Sequence, residues 1–231
     1  MVDTEIKDKL IQAGKVLLDN GQDDFTRGHI SVRLPDDPSL FYMKPHSIGL
    51  DEITRDNILT INLDGEVVAG RSRRHSEVYI HSEIYKERPD VSSILHTHPT
   101  YSVALSATGR PLKVYSQPGA LFYKSVGYFE STINLIRSTQ LGADVAKALG
   151  DMPAVFMKHH GVVCVGATIE EAVIGVIMLE NAAMIQMISE AAGAQSDEFP
   201  KADIEQLKND LSKPEQFTIN FDYLVRRVGR K

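Results

Sequence analysis

Apolar residues recur at helical spacing in six stretches of the chain. The first stretch has an apolar residue every three or four positions from Ile6 to Leu17, and Gly21 suits the left-handed residue that ends a helix. Thr168 and Glu171 form a capping box before the fifth stretch. The predicted helices cover residues 6–19, 76–88, 100–109, 140–150, 170–191 and 201–211.

Other stretches alternate apolar and polar residues, as half-buried strands do. Ile30, Val32 and Leu34 form one such series, and the Asp-Gly pair at 64–65 is typical of a hairpin turn. The predicted strands cover residues 30–34, 41–44, 58–63, 66–70, 91–98, 111–115, 154–158 and 162–166. Because regular βαβ alternation is missing, we predict an α/β (α+β) fold with a mixed, mainly antiparallel sheet and helices packed on its faces.

The composition indicates one soluble globular domain. The chain has 231 residues, of which 42% are hydrophobic, so we predict a single domain over 1–231, with 195–231 as a C-terminal helix and tail. No apolar run reaches the length of a membrane span without a charge, and the N-terminus is charged where a signal peptide is apolar. We therefore expect a cytoplasmic protein with no membrane partner.

Charge and cysteine content narrow the function further. The net charge is −6 and no long basic run occurs, which argues against a nucleic-acid partner. The single Cys164 lies in an apolar run and has no second cysteine with which to pair, in agreement with a reducing compartment.

Two histidines two residues apart suggest a metal site. On a strand, His96 and His98 project to the same face, so both imidazoles can reach one ion, although such a pair can also face solvent or accept core hydrogen bonds. His160 precedes Gly161 at a sharp turn and is a third candidate ligand. We interpret His159 as structural or as a partner of the ligands, while the spacing leaves the reverse assignment open.

Glu77 is a candidate general acid or base. It follows Ser76 at the start of a predicted helix, where the helix dipole favours a carboxylate. The alternative is a surface glutamate that only caps the helix. His81 lies one turn further along and could form a hydrogen bond with Glu77.

Five segments together resemble the class II aldolase and adducin-head family in order and spacing. They are RGHISVR, MKPHSIGLDEIT, RHSEVYIHSEIYKERPDV, ILHTHPTYSVALSA and KHHGVVCVGATIEEAV. The resemblance implies a three-layer αβα fold, a divalent metal held by His96, His98 and His160, and Glu77 as the catalytic acid or base and a possible ligand. It also implies a homotetramer with active sites between subunits, which Tyr123 or Tyr223 would complete from a neighbour.

The chain departs from the sugar-phosphate members of that family at three places. Arg27-Gly28-His29 stands where S-G-N is expected, His46-Ser47 replaces T-G, and His75-Ser76 replaces S-S. Because bulky imidazoles would partly fill a phosphate site built from small residues and backbone amides, a phosphorylated sugar is disfavoured. The same segments resemble the decarboxylase branch, which acts on hydroxyphthalates and hydroxypyridine dicarboxylates.

The resulting prediction is a metal-dependent carbon–carbon lyase that decarboxylates a hydroxylated aromatic or heteroaromatic (di)carboxylate through a metal-stabilised enolate. Glu77 or His29 would protonate the ring carbon. Zinc or manganese is expected, with cobalt or iron as alternatives. The substrate-binding residues would be Arg27, His46, Ser47, His75, Ser76 and Tyr123. The second hypothesis is an aldolase that cleaves a sugar-like aldol, and the third is a non-catalytic adducin-like interaction module.

Overall fold

The computed structural model describes residues 3–194 and 199–230. Its strands are β1 (His29–Arg33), β2 (Leu40–Met43), β3 (Leu59–Asn62), β4 (Val67–Ala69), β5 (Ser93–Thr97), β6 (Val126–Phe129), β7 (Ala154–Met157) and β8 (Gly161–Gly166). Its α-helices are α1 (Asp3–Asp19), α2 (Val78–Glu87), α3 (Thr100–Thr108), α4 (Gln117–Leu121), α5 (Thr139–Leu149), α6 (Ile169–Ala191), α7 (Lys201–Leu211) and α8 (Pro214–Val228). A short 3-10 helix covers Leu50–Glu52.

The strands form one eight-stranded sheet in the order β4-β3-β2-β1-β5-β8-β7-β6. Every neighbouring pair is antiparallel except β6 and β7. At the centre, β1 pairs with β5 so that His29 lies opposite His96. This register places the two histidines side by side, although 67 positions separate them in the chain.

The alternation of side chains along the strands divides the core into two layers. Ile30, Leu95 and Val162 face the layer that holds α1, α3, α6 and α8. Ile94 and Val163 face the opposite layer, which α2 and α5 cover. The predicted three-layer αβα fold with a mainly antiparallel sheet is thus confirmed.

Helix α6 is the longest element and passes through the first of these layers. Its length and composition would suffice to cross a membrane, but Val173, Val176 and Leu179 of this helix are fully buried in the core. The predicted cap at its start is present, because the Thr168 side chain accepts a hydrogen bond from the Glu171 amide.

Three sequence-based expectations about local structure were wrong. Residues 111–115 form no strand, because side chains bind their backbone: the Leu112 amide donates to Tyr128 and the Lys113 amide to Gln186. The helix predicted to begin at residue 76 begins at Val78, and Glu77 occupies its N-cap position.

The expected C-terminal tail is the third error. It is helix α8, whose buried Phe217, Phe221 and Leu224 recur at helical spacing. The predicted boundary at residue 195 lies outside the described residues.

Candidate active site

The three candidate ligands meet at one end of the central strands. His96 lies within β5 and His98 directly after it, and both fall on the α2 face of the sheet. His160 lies in the turn between β7 and β8, beside its neighbour Gly161. A Cβ atom added to Gly161 would lie 2.5 Å from the Thr97 carbonyl oxygen and 2.6 Å from the His98 ring. The close approach of this turn to β5 therefore requires glycine.

The ring nitrogens of this group fit a divalent metal ion. His96, His98 and His160 each offer a ligand atom within 4.8 Å of the others. The Nε2 atoms of His96 and His98 are 3.1 Å apart. Both ring nitrogens of His160 are buried and have no hydrogen-bond partner among the described residues. Converging imidazole nitrogens without protein partners are the donor set that zinc and similar ions take.

Two of these rings are held by oxygen atoms on their far side. His96 Nδ1 donates to the Val162 carbonyl at 3.0 Å, which leaves Nε2 with its lone pair toward the site. His98 Nδ1 lies 3.0 Å from Asp24 Oδ2, an ion-pair contact whose atoms are not aligned for a hydrogen bond. Such outer partners orient metal-binding histidines.

Glu77 lies at the centre of the histidines. Its Oε1 accepts a hydrogen bond from the Ile136 amide at 2.9 Å and lies 3.5 Å from His160 Nε2. Its Oε2 lies 3.9 Å from His96 Nε2 and 4.0 Å from His29 Nε2. His29, Glu77 and His96 therefore form a second group that could hold a metal ion.

Burial moves the pKa values of these groups toward the neutral forms. It raises the pKa of Glu77, against the Ile136 hydrogen bond and the charge of Arg137. It lowers the pKa of His160 to about 4, and it holds the pKa of His96 well below its usual range. Neutral imidazoles are the form that binds metal ions.

A cavity of about 670 Å³ opens in front of this cluster. Three arginines line it, Arg27, Arg73 and Arg137, with Asp24 and Glu77 as the lining carboxylates. The side chains of Val103, Ile133 and Leu135 supply an apolar part of the wall. The cavity therefore combines positive charge with an apolar surface, which suits an anionic ligand with a flat hydrocarbon part.

Histidines and a lysine fill the other side of the cavity. His46 Nδ1 and Ser47 Oγ form a hydrogen bond, and Ser47 has a left-handed φ of 67°. Lys44 is completely buried, and its Nζ donates to the Thr26 carbonyl at 3.1 Å and lies 3.3 Å from His75 Nε2. Burial lowers the pKa of Lys44 to about 8 and, with the Lys44 charge next in size, that of His75 to about 2.

The structure brings most of the predicted site residues together. Those that line the cavity are Arg27, His46, His75, Ser76, Glu77, His98 and His160. His29 and His96 are buried beside them, and Ser47 contacts His46. Tyr123 does not line this cavity; its carbonyl accepts from Lys208. Its predicted role in a neighbour's site, like that of the exposed Tyr223, stays a prediction.

The two histidines whose roles were open are now placed. His81 contacts His29 and Ser31, with no described hydrogen bond to Glu77. His159 adopts a left-handed φ of 60° and lines the cavity, but it belongs to neither group of possible ligands found among the described residues.

Sequence reasoning missed four charged residues of the site. Lys44 stands within the MKPH segment, and Arg73 lies just before His75, so both were close to recognised residues. Asp24 and Arg137 belong to irregular segments without periodicity. Only the folded chain places these two against His98 and Glu77.

The chain is similar in sequence to one protein family and to several known proteins. The family model described as Class II Aldolase and Adducin N-terminal domain matches residues 8–187. A 3,4-dihydroxyphthalate decarboxylase from Arthrobacter keyseri is 28% identical over 87% of this chain and 85% of its own length. An L-fuculose phosphate aldolase from Methanocaldococcus jannaschii is 32% identical over 70% of this chain and 84% of its own. The chain spans about two thirds of the length of several other curated relatives that it matches.

A solved structure shows the same similarity in three dimensions. The L-fuculose 1-phosphate aldolase from Glaciozyma antarctica superimposes with a TM-score of 0.87 at 26% sequence identity. The superposition covers 98% of this chain and 89% of that one.

Proposed function

Because the chain belongs to the family of class II aldolase and adducin N-terminal domains, we propose that it is a divalent-metal-dependent lyase that decarboxylates a hydroxylated aromatic or heteroaromatic dicarboxylate. The observation that carries the proposal is the composition of the cavity wall. Arginines and imidazoles stand beside an apolar surface, where a phosphate site would offer small residues and free amides.

The ion would be held by His96, His98 and His160, with Glu77 near enough to join them. When bound, a zinc or manganese ion supplies an electrophile that stabilises negative charge on a substrate oxygen. The ring orientation of His96, fixed by the Val162 carbonyl, keeps its lone pair toward that position.

Glu77 is the proposed proton donor to the ring carbon that loses its carboxylate. Burial raises the pKa of this carboxyl, and the Ile136 amide holds Oε1 in place. Loss of carbon dioxide breaks the bond between ring and carboxylate carbons, and the electron pair left on the ring takes the Glu77 proton. His29, the other predicted acid or base, lies on the opposite side of Oε2.

The second carboxylate would be held on the side away from the ligands. Arg73, His46 and His75 line that wall, and the ammonium of Lys44 lies directly behind His75. Guanidinium and imidazole donors match the flat, two-oxygen geometry of a carboxylate. Arg27 and Ser76 line the same cavity and complete the proposed contacts.

A panel of substrates tests the proposal. Protein loaded with Mn²⁺ or Zn²⁺ is incubated with hydroxyaryl and hydroxypyridine dicarboxylates and with phosphorylated and free aldols, and carbon dioxide and aldehyde are both measured. Carbon dioxide from the dicarboxylates is expected. Aldehyde release without carbon dioxide would contradict the proposal.

Glu77→Gln is expected to stop turnover, because the amide cannot donate the same proton. The matched control is Glu83→Gln, since Glu83 is also a buried carboxylate of this region but pairs with Lys86 outside the cavity. Loss of turnover in the control alone would contradict the assignment of Glu77.

The second candidate is an aldolase acting on a sugar-like substrate. It is favoured by the similarity to relatives named L-fuculose phosphate aldolase. The non-catalytic interaction module is third, because the converging imidazoles and Glu77 are unnecessary for it. Failure of purified protein to bind any divalent ion would favour that module.

The proposal also includes the homotetramer and the cytoplasmic location expected from the sequence. The exposed aromatic side chains Phe25 and Tyr223 are consistent with a subunit contact. Sedimentation of the purified protein tests the assembly, and cell fractionation tests the location.

A further inference from the structure

Four polar side chains form a buried chain of contacts between β1 and α2. His29 and Ser31 project from one face of β1, while His81 and Tyr85 lie one turn apart on α2. His29 Nδ1 lies 2.7 Å from His81 Nε2, and His81 Nδ1 lies 2.6 Å from Ser31 Oγ. Ser31 Oγ lies 2.8 Å from the Tyr85 hydroxyl. All four residues are at most 1% exposed, so water does not compete for these contacts.

The far end of the chain determines the direction of its hydrogen bonds. The Tyr85 hydroxyl lies 3.4 Å from the Ser92 carbonyl oxygen, which can only accept. If the Tyr85 hydroxyl donates to this carbonyl, the Ser31 hydroxyl has to donate to the Tyr85 oxygen. His81 Nδ1–H then has to donate to Ser31 Oγ. His81 Nε2 then accepts from His29 Nδ1–H. This direction satisfies every contact, whereas the reverse direction leaves the Tyr85 contact with Ser92 unmade.

The near end of the chain faces the proposed site. With its proton on Nδ1, His29 carries a lone pair on Nε2. That atom is buried, has no hydrogen-bond partner in the described part of the chain, and lies 4.0 Å from Glu77 Oε2. An unpartnered acceptor beside the cavity can receive a hydrogen bond from a substrate hydroxyl.

We propose that Ser31, His81 and Tyr85 are positioning residues that hold His29 as the Nδ1–H tautomer. His29 then accepts a hydrogen bond from the substrate hydroxyl at Nε2, and Nδ1–H stays donated to His81. Only the identity of the substrate rests on the proposed function. The tautomer is a property of the protein alone.

Nitrogen NMR of the metal-free protein tests the tautomer directly. Protein labelled with ¹⁵N-histidine is compared with a His29→Gln variant to assign the His29 signals. The expected spectrum shows a protonated Nδ1 and an unprotonated Nε2 in His29. A protonated Nε2 in the unsubstituted protein would overturn the proposal, whatever the substrate proves to be.

Two substitutions test whether the chain sets this state. His81→Phe removes the acceptor for His29, and Tyr85→Phe removes the hydroxyl that accepts from Ser31. Both are expected to increase the fraction of His29 protonated at Nε2, and Tyr85→Phe keeps the test available if His81→Phe does not fold. The matched control is Ser82→Ala, because the buried Ser82 hydroxyl has no described hydrogen-bond partner.

A kinetic readout separates positioning from simple packing. With a substrate found by the panel, Tyr85→Phe should lower kcat about tenfold or more and change KM less than about twofold, since proton transfer contributes about 10²–10⁴-fold to such reactions. Ser82→Ala should leave both constants within about twofold. An unchanged His29 spectrum in His81→Phe or Tyr85→Phe would contradict the proposal even if kcat fell.

Discussion

The histidines of the site fall into a ligand group, His96, His98 and His160, and a pocket group, His29, His75 and His81. The two groups differ in what the second nitrogen of each ring contacts. In the ligand group, a carbonyl holds His96 from behind by a hydrogen bond and a carboxylate lies behind His98, and the Nε2 atoms of both rings converge on an open position. In the pocket group, each ring contacts another side chain: His29 meets His81, and His75 meets Lys44. The same residue type therefore serves as a candidate ligand or as part of a hydrogen-bonded wall, according to its partners.

Charge separates the two groups further. An ammonium lies 3.3 Å from His75 Nε2, and Arg73 lines the same wall. The ligand group has the carboxylates Glu77 and Asp24 beside it, and Asp24 is in turn paired with Arg27. Because like charges repel strongly when buried, a divalent cation is favoured on the carboxylate side and an anionic group on the other.

The largest expected effect comes from a ligand of the first group. His98→Ala should weaken binding of Zn²⁺ by about 2.5–4 kcal/mol, since roughly 10–16 kcal/mol of zinc binding is typically shared among four ligands. His75→Ala is the control from the pocket group and should leave the affinity within about threefold. Competition against a chelating dye measures both. Equal losses in the two variants would remove the distinction between the groups.

Strand alternation predicted that His96 and His98 share a face, because that geometry is local, whereas His160 joined them as a predicted ligand through the family resemblance. Strand alternation places His96 and His98 on one face, and Gly161 marks the tight turn that carries His160. The hydrogen-bond contacts behind the pocket group were not predictable in this way. Ser31 and Tyr85 lie on a strand and a helix that are distant in sequence, so their contact depends on how α2 packs on the sheet.

The fold class was predictable for the same reason. The errors in the predicted strands and helices occurred where tertiary contacts override the local sequence pattern. The alternation in residues 111–115 resembles a strand, but Gln186 of α6 binds that backbone. Phe217 and Phe221 have helical spacing among residues of strand preference, and burial in the α1 layer decides for the helix.

Lys44 provides the next largest effect and tests the charge of the pocket group. Burial lowers its pKa from 10.5 to about 8. Between these values the unfolded chain binds a proton that the folded protein lacks, so stability rises with pH across this window. The buried lysine should therefore lower the free energy of unfolding by about 3 kcal/mol below pH 8. This destabilisation should decrease by about 2–3 kcal/mol between pH 7 and pH 10.

Urea unfolding of the unsubstituted protein and of Lys44→Met at both pH values isolates this contribution. The stability advantage of Lys44→Met over the unsubstituted protein should decrease as the pH rises. The reason is that only the unsubstituted protein contains the buried ammonium, which becomes neutral at high pH. A stability difference that does not change with pH would show that Lys44 is not held as an unfavourable buried cation.

A smaller effect is expected from the outer partner of His98. Asp24→Asn removes the charge 3.0 Å from Nδ1 but keeps the size of the side chain. Outer partners typically contribute about 10–100-fold to metal affinity, so Zn²⁺ binding should weaken by that factor. Asp23→Asn is the control, since the neighbouring carboxylate does not line the cavity. An affinity unchanged by Asp24→Asn would mean that His98 needs no carboxylate behind it.

The smallest effect separates two adjacent histidines. His159 has a left-handed φ of 60°, and its amide donates to Ser106 Oγ, so we expect it to shape the turn beside His160 and not to bind the ion. Asn tolerates this conformation, so His159→Asn should leave Zn²⁺ affinity within about threefold and the free energy of unfolding within about 1 kcal/mol. His160→Asn should lose affinity as His98→Ala does. If His159→Asn instead abolished binding, the two histidines would have to exchange roles, and the turn would present its ligand from the left-handed residue.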